Sequence, residues 1–219
     1  MESHGKRNGG KIIVTAHCDF VWKAARVKLL RKHRRRFYFG NLDNLVCVAE
    51  VFRSVMPRVR DRRMRFYFTT GEETTMDGAK RVMKREGRAL YIPIDVTNAS
   101  KTKDVNVEWT HNVDRKALRR ALEKIPKIRL GFRNGHHDET MVYGTKFPTF
   151  SLNLPIEGHV HGRASVSFWK ARRFGRAVAA ILKQVRRHYD EICLVEQKNG
   201  KHNGKAAKNG KNGRHAAAA

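Results

Sequence analysis

Residues 64–73, MRFYFTTGEE, restrict what this chain can fold into more than any other stretch. Arg65 to Thr69 is a β-branched and aromatic run that Gly71 stops, the pattern of a strand running into a loop. Glu72 and Glu73 follow directly. In open α/β sheets, ligands bind in the loops beyond the carboxyl ends of the strands. Two adjacent carboxylates repel each other, and here they stand in a chain with 47 Lys and Arg against 20 Asp and Glu. Their physical use is a division of labour, in which one binds a cation and its neighbour handles a proton. Such a site needs further histidines and carboxylates at the ends of other strands.

The rest of the chain alternates strand and helix patterns. Residues 11–16, KIIVTA, are expected as a buried strand, ending at the triplet His17-Cys18-Asp19. Residues 22–36 are dense in Arg and Lys and read as a solvated surface or turn, with nucleic-acid contact as the alternative. Another strand is expected over 36–40. Asp43 or Asn44 is placed to cap a helix with Leu45, Val48, Ala49, Phe52 and Val55 on one face, closed by Pro57. Helices are expected over 75–86 and 113–125, and strands over 89–96, 105–110 and 128–131. Residues 133–145 read as a loop holding Asp138 and Glu139, before a proline-bounded strand over 147–155. His159 and His161 come next, then a long helix from about Ser167 to Cys193. Alternation of this kind predicts an α/β fold with a mostly parallel sheet and one antiparallel pair.

At 219 residues and 25.2 kDa the chain suits one domain, expected over 11–195, between a loose lead-in at 1–10 and a basic tail at 196–219. The tail repeats Lys, Asn, Gly and His and has nothing to bury. Cys18, Cys47 and Cys193 have no CxxC spacing, which argues against a disulfide framework and a thiolate zinc site. It also argues for a reducing compartment. No apolar run approaches the length of a membrane span, and the N-terminus lacks an apolar signal region, so the expected location is the cytoplasm. The net charge of +27 favours association with nucleic acid, anionic surfaces or acidic partners. Residues 197–219 hold only six of the Lys and Arg, so the body itself is basic. No zinc finger or aromatic RNA-binding signature is visible.

Just past the expected strand ends lie His17 and Asp19, Asp43, Glu72 and Glu73, Asp95, and His159 or His161. Imidazoles with several carboxylates and no thiolate suit borderline-hard divalent metals, zinc first, then cobalt or manganese. With one carboxylate bridging, such a set holds two ions about 3.5–4 Å apart, the spacing that clamps a hydrolytic transition state. Asp19, two residues from His17, suits the task of orienting its imidazole. Singly, each residue has a plainer reading: Asp43 as a helix cap, Glu72-Glu73 as a solvated pair, Asp95 as an acceptor for a loop amide. The joint pattern carries the inference, because acids are scarce here yet several fall at one sheet edge.

Taken in order, AHCD at 16–19, LDN at 42–44, FTTGEE at 68–73, ID at 94–95 and PTFSLNLP at 148–155 with a histidine after it resemble a known family. It is the clan of co-catalytic dinuclear zinc exopeptidases, which includes zinc aminopeptidases and related carboxypeptidases and deacylases. The resemblance spans roughly residues 11–185 and implies a three-layer α/β sandwich, a mixed central sheet flanked by helices. Carried over by position, it implies that His17 binds one ion and Asp43 bridges both. Glu72 becomes the general base, Glu73 a ligand to one ion, Asp95 a ligand to the other, and His161 the last ligand. His161-Gly162 ahead of Ser167-Phe168-Trp169 fits that last position better than His159. Asp138 resembles an acid that members carry ahead of their last strand. Many relatives contain an inserted dimerisation or lid domain, and the intervals between these motifs leave no room for one. Where members often carry an acid after the last histidine, this chain has Ser165.

The expected activity is hydrolysis of peptide or aminoacyl substrates by an aminopeptidase using two divalent ions. A carboxypeptidase or deacylase would use the same ligands. The charge supports a different alternative, a peptidase-like scaffold held to nucleic acid or another polyanion through its basic surface and tail.

Overall fold

The computed structural model describes residues 10–19, 27–32, 34–134 and 138–193. The basic tail and all of the lead-in except Gly10 lie outside those residues.

The larger of two sheets has six strands in the order β4 (Met64–Thr69), β1 (Ile12–His17), β5 (Leu90–Thr97), β8 (Thr149–Pro155), β6 (Val105–His111) and β7 (Leu130–Arg133). Neighbours run parallel except β8 and β6, the single antiparallel pair. β1 is buried along its whole length, so its side chains serve both faces. Ile12, Val14 and Ala16 join the main core, whereas Ile13 joins a second cluster with Ala79, Val82 and Tyr91. Helices α1 (Leu45–Glu50), α3 (Arg115–Glu123) and α5 (Phe168–Arg187) cover the first face. Helices α2 (Asp77–Glu86) and α4 (Thr140–Tyr143) cover the second, and the chain packs as the expected three layers. After α5 comes the short α6 (Tyr189–Cys193), a break at His188 in what reads as one helix.

The second sheet is antiparallel and was not legible as a unit. Its order is β2 (Lys28–Lys32), β3 (Arg35–Gly40), β10 (Ala164–Ser167) and β9 (Glu157–Gly158). The expected strand at 36–40 therefore exists but belongs outside the parallel sheet. Its basic end is the reason, since Arg35 and Arg36 are exposed and no strand buried on both faces could hold them. Part of the stretch read as surface or turn, Lys28–Lys32, is a strand that is exposed throughout. The loop expected over 133–145 contains α4.

α1 departs from expectation in its face. Val46, Cys47, Glu50, Val51, Ser54 and Val55 are buried, while Leu45 and Phe52 are exposed. Both sets have helical spacing, so docking decided between them. The helix widens into a π-helical turn over Val51–Val55, and α5 crosses it at Gly175. A Cβ on Gly175 would come within 2.6 Å of the Ser54 Cβ, so only glycine permits this approach. Neither Asp43 nor Asn44 caps the helix with its side chain. Asn44 instead donates from Nδ2 to the Ile94 carbonyl at 2.6 Å, and Asp43 turns elsewhere.

Candidate metal centre

Parallel pairing of β4, β1 and β5 puts their carboxyl ends side by side. His17 is the last residue of β1 and pairs with Thr69, so the turn carrying Glu72 and Glu73 begins beside it. Thr15 pairs with Pro93, which sets Asp95 level with His17 on the other side. Asp43 arrives from the turn between β3 and α1, and His161 from the turn between β9 and β10. The small sheet thus has a structural task, because it delivers two groups to the rim of the large one.

The side chains converge. His17 Nε2 lies 3.0 Å from Asp43 Oδ1, 3.4 Å from Asp95 Oδ1 and 4.0 Å from Glu72 Oε2. His161 Nε2 lies 3.1 Å from Asp43 Oδ2 and 3.7 Å from Glu73 Oε2. Asp43 therefore presents one oxygen to each imidazole. Two groups with metal-ligand spacing result, His17–Asp43–Asp95 and Asp43–Glu73–His161, and they share only Asp43. A third grouping joins His17 to Glu72 and Glu73. His159 stands beside His161, its ring centre 5.9 Å away, but belongs to none of the three. Asp19 Oδ1 is 3.5 Å from His17 Nδ1, and its two oxygens accept from the backbone N–H groups of Glu72 and Glu73 at 3.4 Å each. It thus ties the end of β1 to the diglutamate turn.

The electrostatics suit cations. Burial pushes the Glu72 carboxyl up to about 9, and repulsion from Asp95 adds to it. Burial and then Asp43 raise Glu73 and Asp95 in the same direction. Burial works the other way on the His17 imidazole, yet the facing Asp95 and Asp43 outweigh it and hold its proton far above the usual range. His17 Nδ1 and Nε2, Asp43 Oδ1 and Glu73 Oε1 are buried and make no well-directed hydrogen bond, the close approach of His17 to Asp43 included. Packed carboxylates and unpartnered ligand atoms are a costly arrangement that divalent ions would relieve, so this donor set fits two of them.

Two buried acids nearby had no role assigned from the sequence, Glu139 being read only as part of a loop. Glu139 accepts from the hydroxyls of Thr15 and Thr69, bracing β1 and β4 just below the site. Glu108, in mid-β6, lines the pocket above the metal groups with Asp138, and Glu108 Oε1 and Asp138 Oδ2 have no hydrogen-bond partner. The signal for Glu108 was weak: one acid inside the apolar run VNVEWT. The pocket has a volume of about 390 Å³. Asp43, Glu72, Glu73, Asp95, Glu108 and Asp138 line it, and no Lys or Arg among the described residues does. In a chain of net charge +27, the cleft is lined by acids.

Solved structures show the same fold. An aminopeptidase from the archaeon Desulfurococcus kamchatkensis superimposes with a TM-score of 0.61 at 12% identity, over 93% of this chain and 85% of that one. The aminopeptidase PepT from Bacillus cereus gives 0.58 at 13%, over 83% and 82%. The TET1 peptidase of Pyrococcus horikoshii, which can assemble into a tetrahedron or a large octahedral shell, gives 0.57 at 14%, over 71% and 52%. This chain spans about half the length of the TET peptidases it matches. No curated protein sequence matches. The model of peptidase family M28 matches residues 1–144, which hold five of the six converging groups, and the chain belongs to that family.

Proposed function

We propose that this chain is a dinuclear metal-dependent aminopeptidase, a minimal catalytic domain over residues 11–195. In this reading His17 and Asp95 would hold one ion, Glu73 and His161 would hold the other, and Asp43 would serve both. Zinc is first for this ligand set, with cobalt or manganese next. When bound, the pair supplies Lewis acidity at the substrate carbonyl and lowers the pKa of the attacking water. Glu72 would take the proton from the attacking water and return it to the departing amine. Asp19 keeps the His17 ring and the diglutamate turn in register.

The observation that carries the choice of an amino end is the pocket lining. Glu108 Oε1 and Asp138 Oδ2 are buried acceptors with no donor, and a substrate ammonium would supply one. A carboxypeptidase would need a cation for the free carboxylate, and none lines this pocket among the described residues. Cys18 and Cys47 are thiols outside any disulfide, which supports work in a reducing compartment such as the cytoplasm. Among the described residues no helix is long and apolar enough to cross a membrane.

The test is metal analysis coupled to peptide hydrolysis. Wild-type protein should bind about two zinc-class ions and cleave free-amine peptides but not N-blocked ones. Glu72→Gln should keep its metal and lose roughly 10²–10⁴-fold in kcat. Failure to take up metal, or unchanged turnover in that variant, would reject the reading. Preference for N-blocked substrates would move it to a deacylase or carboxypeptidase.

A further inference from the structure

The basic charge plays no part in the chemistry above, and a dense part of it lies on the small sheet. In β2 and β3, Leu30 pairs with Phe37, Lys28 with Phe39, and Lys32 with Arg35. Paired residues share a face, and alternate residues along a strand return to it. These six side chains therefore form one surface of aromatic and aliphatic groups set among cations. The opposite surface carries Tyr38, Ala164 and Val166 into the core. At the margin of the outer surface is a groove of about 440 Å³ lined by Arg35, Phe37, Glu157, Ser165, Ser167 and Trp169, among others. Trp169 is 70% exposed.

Around the corner of the sheet, the guanidinium carbons of Arg36, Arg53 and Arg172 lie 5.9, 5.2 and 6.0 Å from the centre of the Phe168 ring. Among the described residues, these arginines and Lys28, Lys32 and Arg35 form no ion pair, although carboxylates elsewhere are paired with several cations. Three guanidiniums gathered on one ring without a counter-ion repel one another, and a polyanion would relieve that repulsion. A second copy of the chain would not, because the edge strand β2, unpaired on its outer side among the described residues, brings Lys28, Arg31 and Lys32 against their like. The half-buried rings of Phe37 and Phe39 beside the groove offer flat faces on which bases stack.

We propose that this face binds single-stranded nucleic acid, with phosphates on Lys28, Lys32 and Arg35 and bases stacked on Trp169 and along the Phe37 groove. The site is separate from the metal centre, so it does not depend on the peptidase reading. The experiment titrates the full chain into a fluorescent oligothymidylate while anisotropy and tryptophan emission are recorded. Affinity should fall steeply as salt rises from about 50 to about 200 mM, and emission should be quenched on binding. Trp169→Ala should weaken binding about tenfold, and Lys28→Glu with Lys32→Glu at least as much. Unaltered melting by circular dichroism would show that the variants fold. Equal affinity of wild type and all variants would overturn the proposal and assign any binding to the tail or to net charge. Tighter binding to phosphatidylserine vesicles than to the oligonucleotide, or self-association with no oligonucleotide bound, would overturn it as well.

Discussion

Asp43 stands between two imidazoles, 3.0 Å from His17 and 3.1 Å from His161, and presents a different oxygen to each. On the proposed ligand assignment, Asp43→Asn should abolish uptake of both ions, whereas His161→Ala should spare the one assigned to His17 and Asp95; metal stoichiometry after dialysis checks this. The same cluster sets a pH dependence. In the metal-free protein the Glu72 pKa is raised from 4.5 to about 9, so its contribution to stability is full below the lower value. That contribution is lost as pH rises through the higher one. A chelator should thus lower Tm more at about pH 8 than at about pH 6, because the metal-free fold keeps a proton on Glu72 that the unfolded chain releases, and that penalty grows as pH rises toward about 9. Glu86, which takes no part in the site, has the opposite sign. Its buried carboxylate is penalised by burial, but Tyr67, Lys11 and Arg65 outweigh that and hold it near 2. Its contribution is present above about 4.5 and is lost as pH falls toward 2. Glu86→Gln should cost about 1–3 kcal/mol at neutral pH and flatten the acid limb of a urea-unfolding series.

Elements meet at places where only small residues fit, and these places test the architecture. A Cβ on Gly78 would lie 2.4 Å from the Thr70 carbonyl oxygen, so the first turn of α2 rests directly on the backbone that leads to Glu72. Gly78→Ala should push that turn outward and lower metal affinity and kcat/KM with a modest effect on Tm, read by metal titration beside a melting curve. Gly175 in α5 instead touches Ser54 and Glu50 in the core, so Gly175→Val should cost about 1–3 kcal/mol or more in unfolding free energy. The strands of the large sheet were legible because strands buried on both faces are continuous apolar runs, as KIIVTA and ALYIPIDV are. The face of α1 was not, because two stripes of helical spacing coexist there and packing against α5 chose the second. Glu108 escaped notice, and Glu139 read only as a loop residue, for a related reason: in sequence each is one acid in a local pattern, and only the assembled layers bury it.

At the scale of the whole molecule, a basic exterior surrounds an acidic cleft. Long-range attraction and repulsion reach about a Debye length and are screened by salt, whereas contacts inside the cleft are screened far less. Raising salt should therefore lower KM for peptides with additional positive charge and raise it for acidic ones, with kcat little changed; steady-state kinetics on matched peptides would show this. KM moving the same way for both would mean the exterior field does not steer substrates.

What the amino-acid order determined alone is the set of candidate ligands and the class of fold. Residue types and their spacing after strand patterns are local properties, and a strand that must end beside a ligand announces itself by its own composition. What only the tertiary structure decided is which of those groups meet and what surrounds them. Strand order β4-β1-β5 gathers His17, the diglutamate turn and Asp95, and the small sheet brings Asp43 and His161 to them. Coordination distance depends on the register of strands far apart in the chain, and no property of a single segment encodes it.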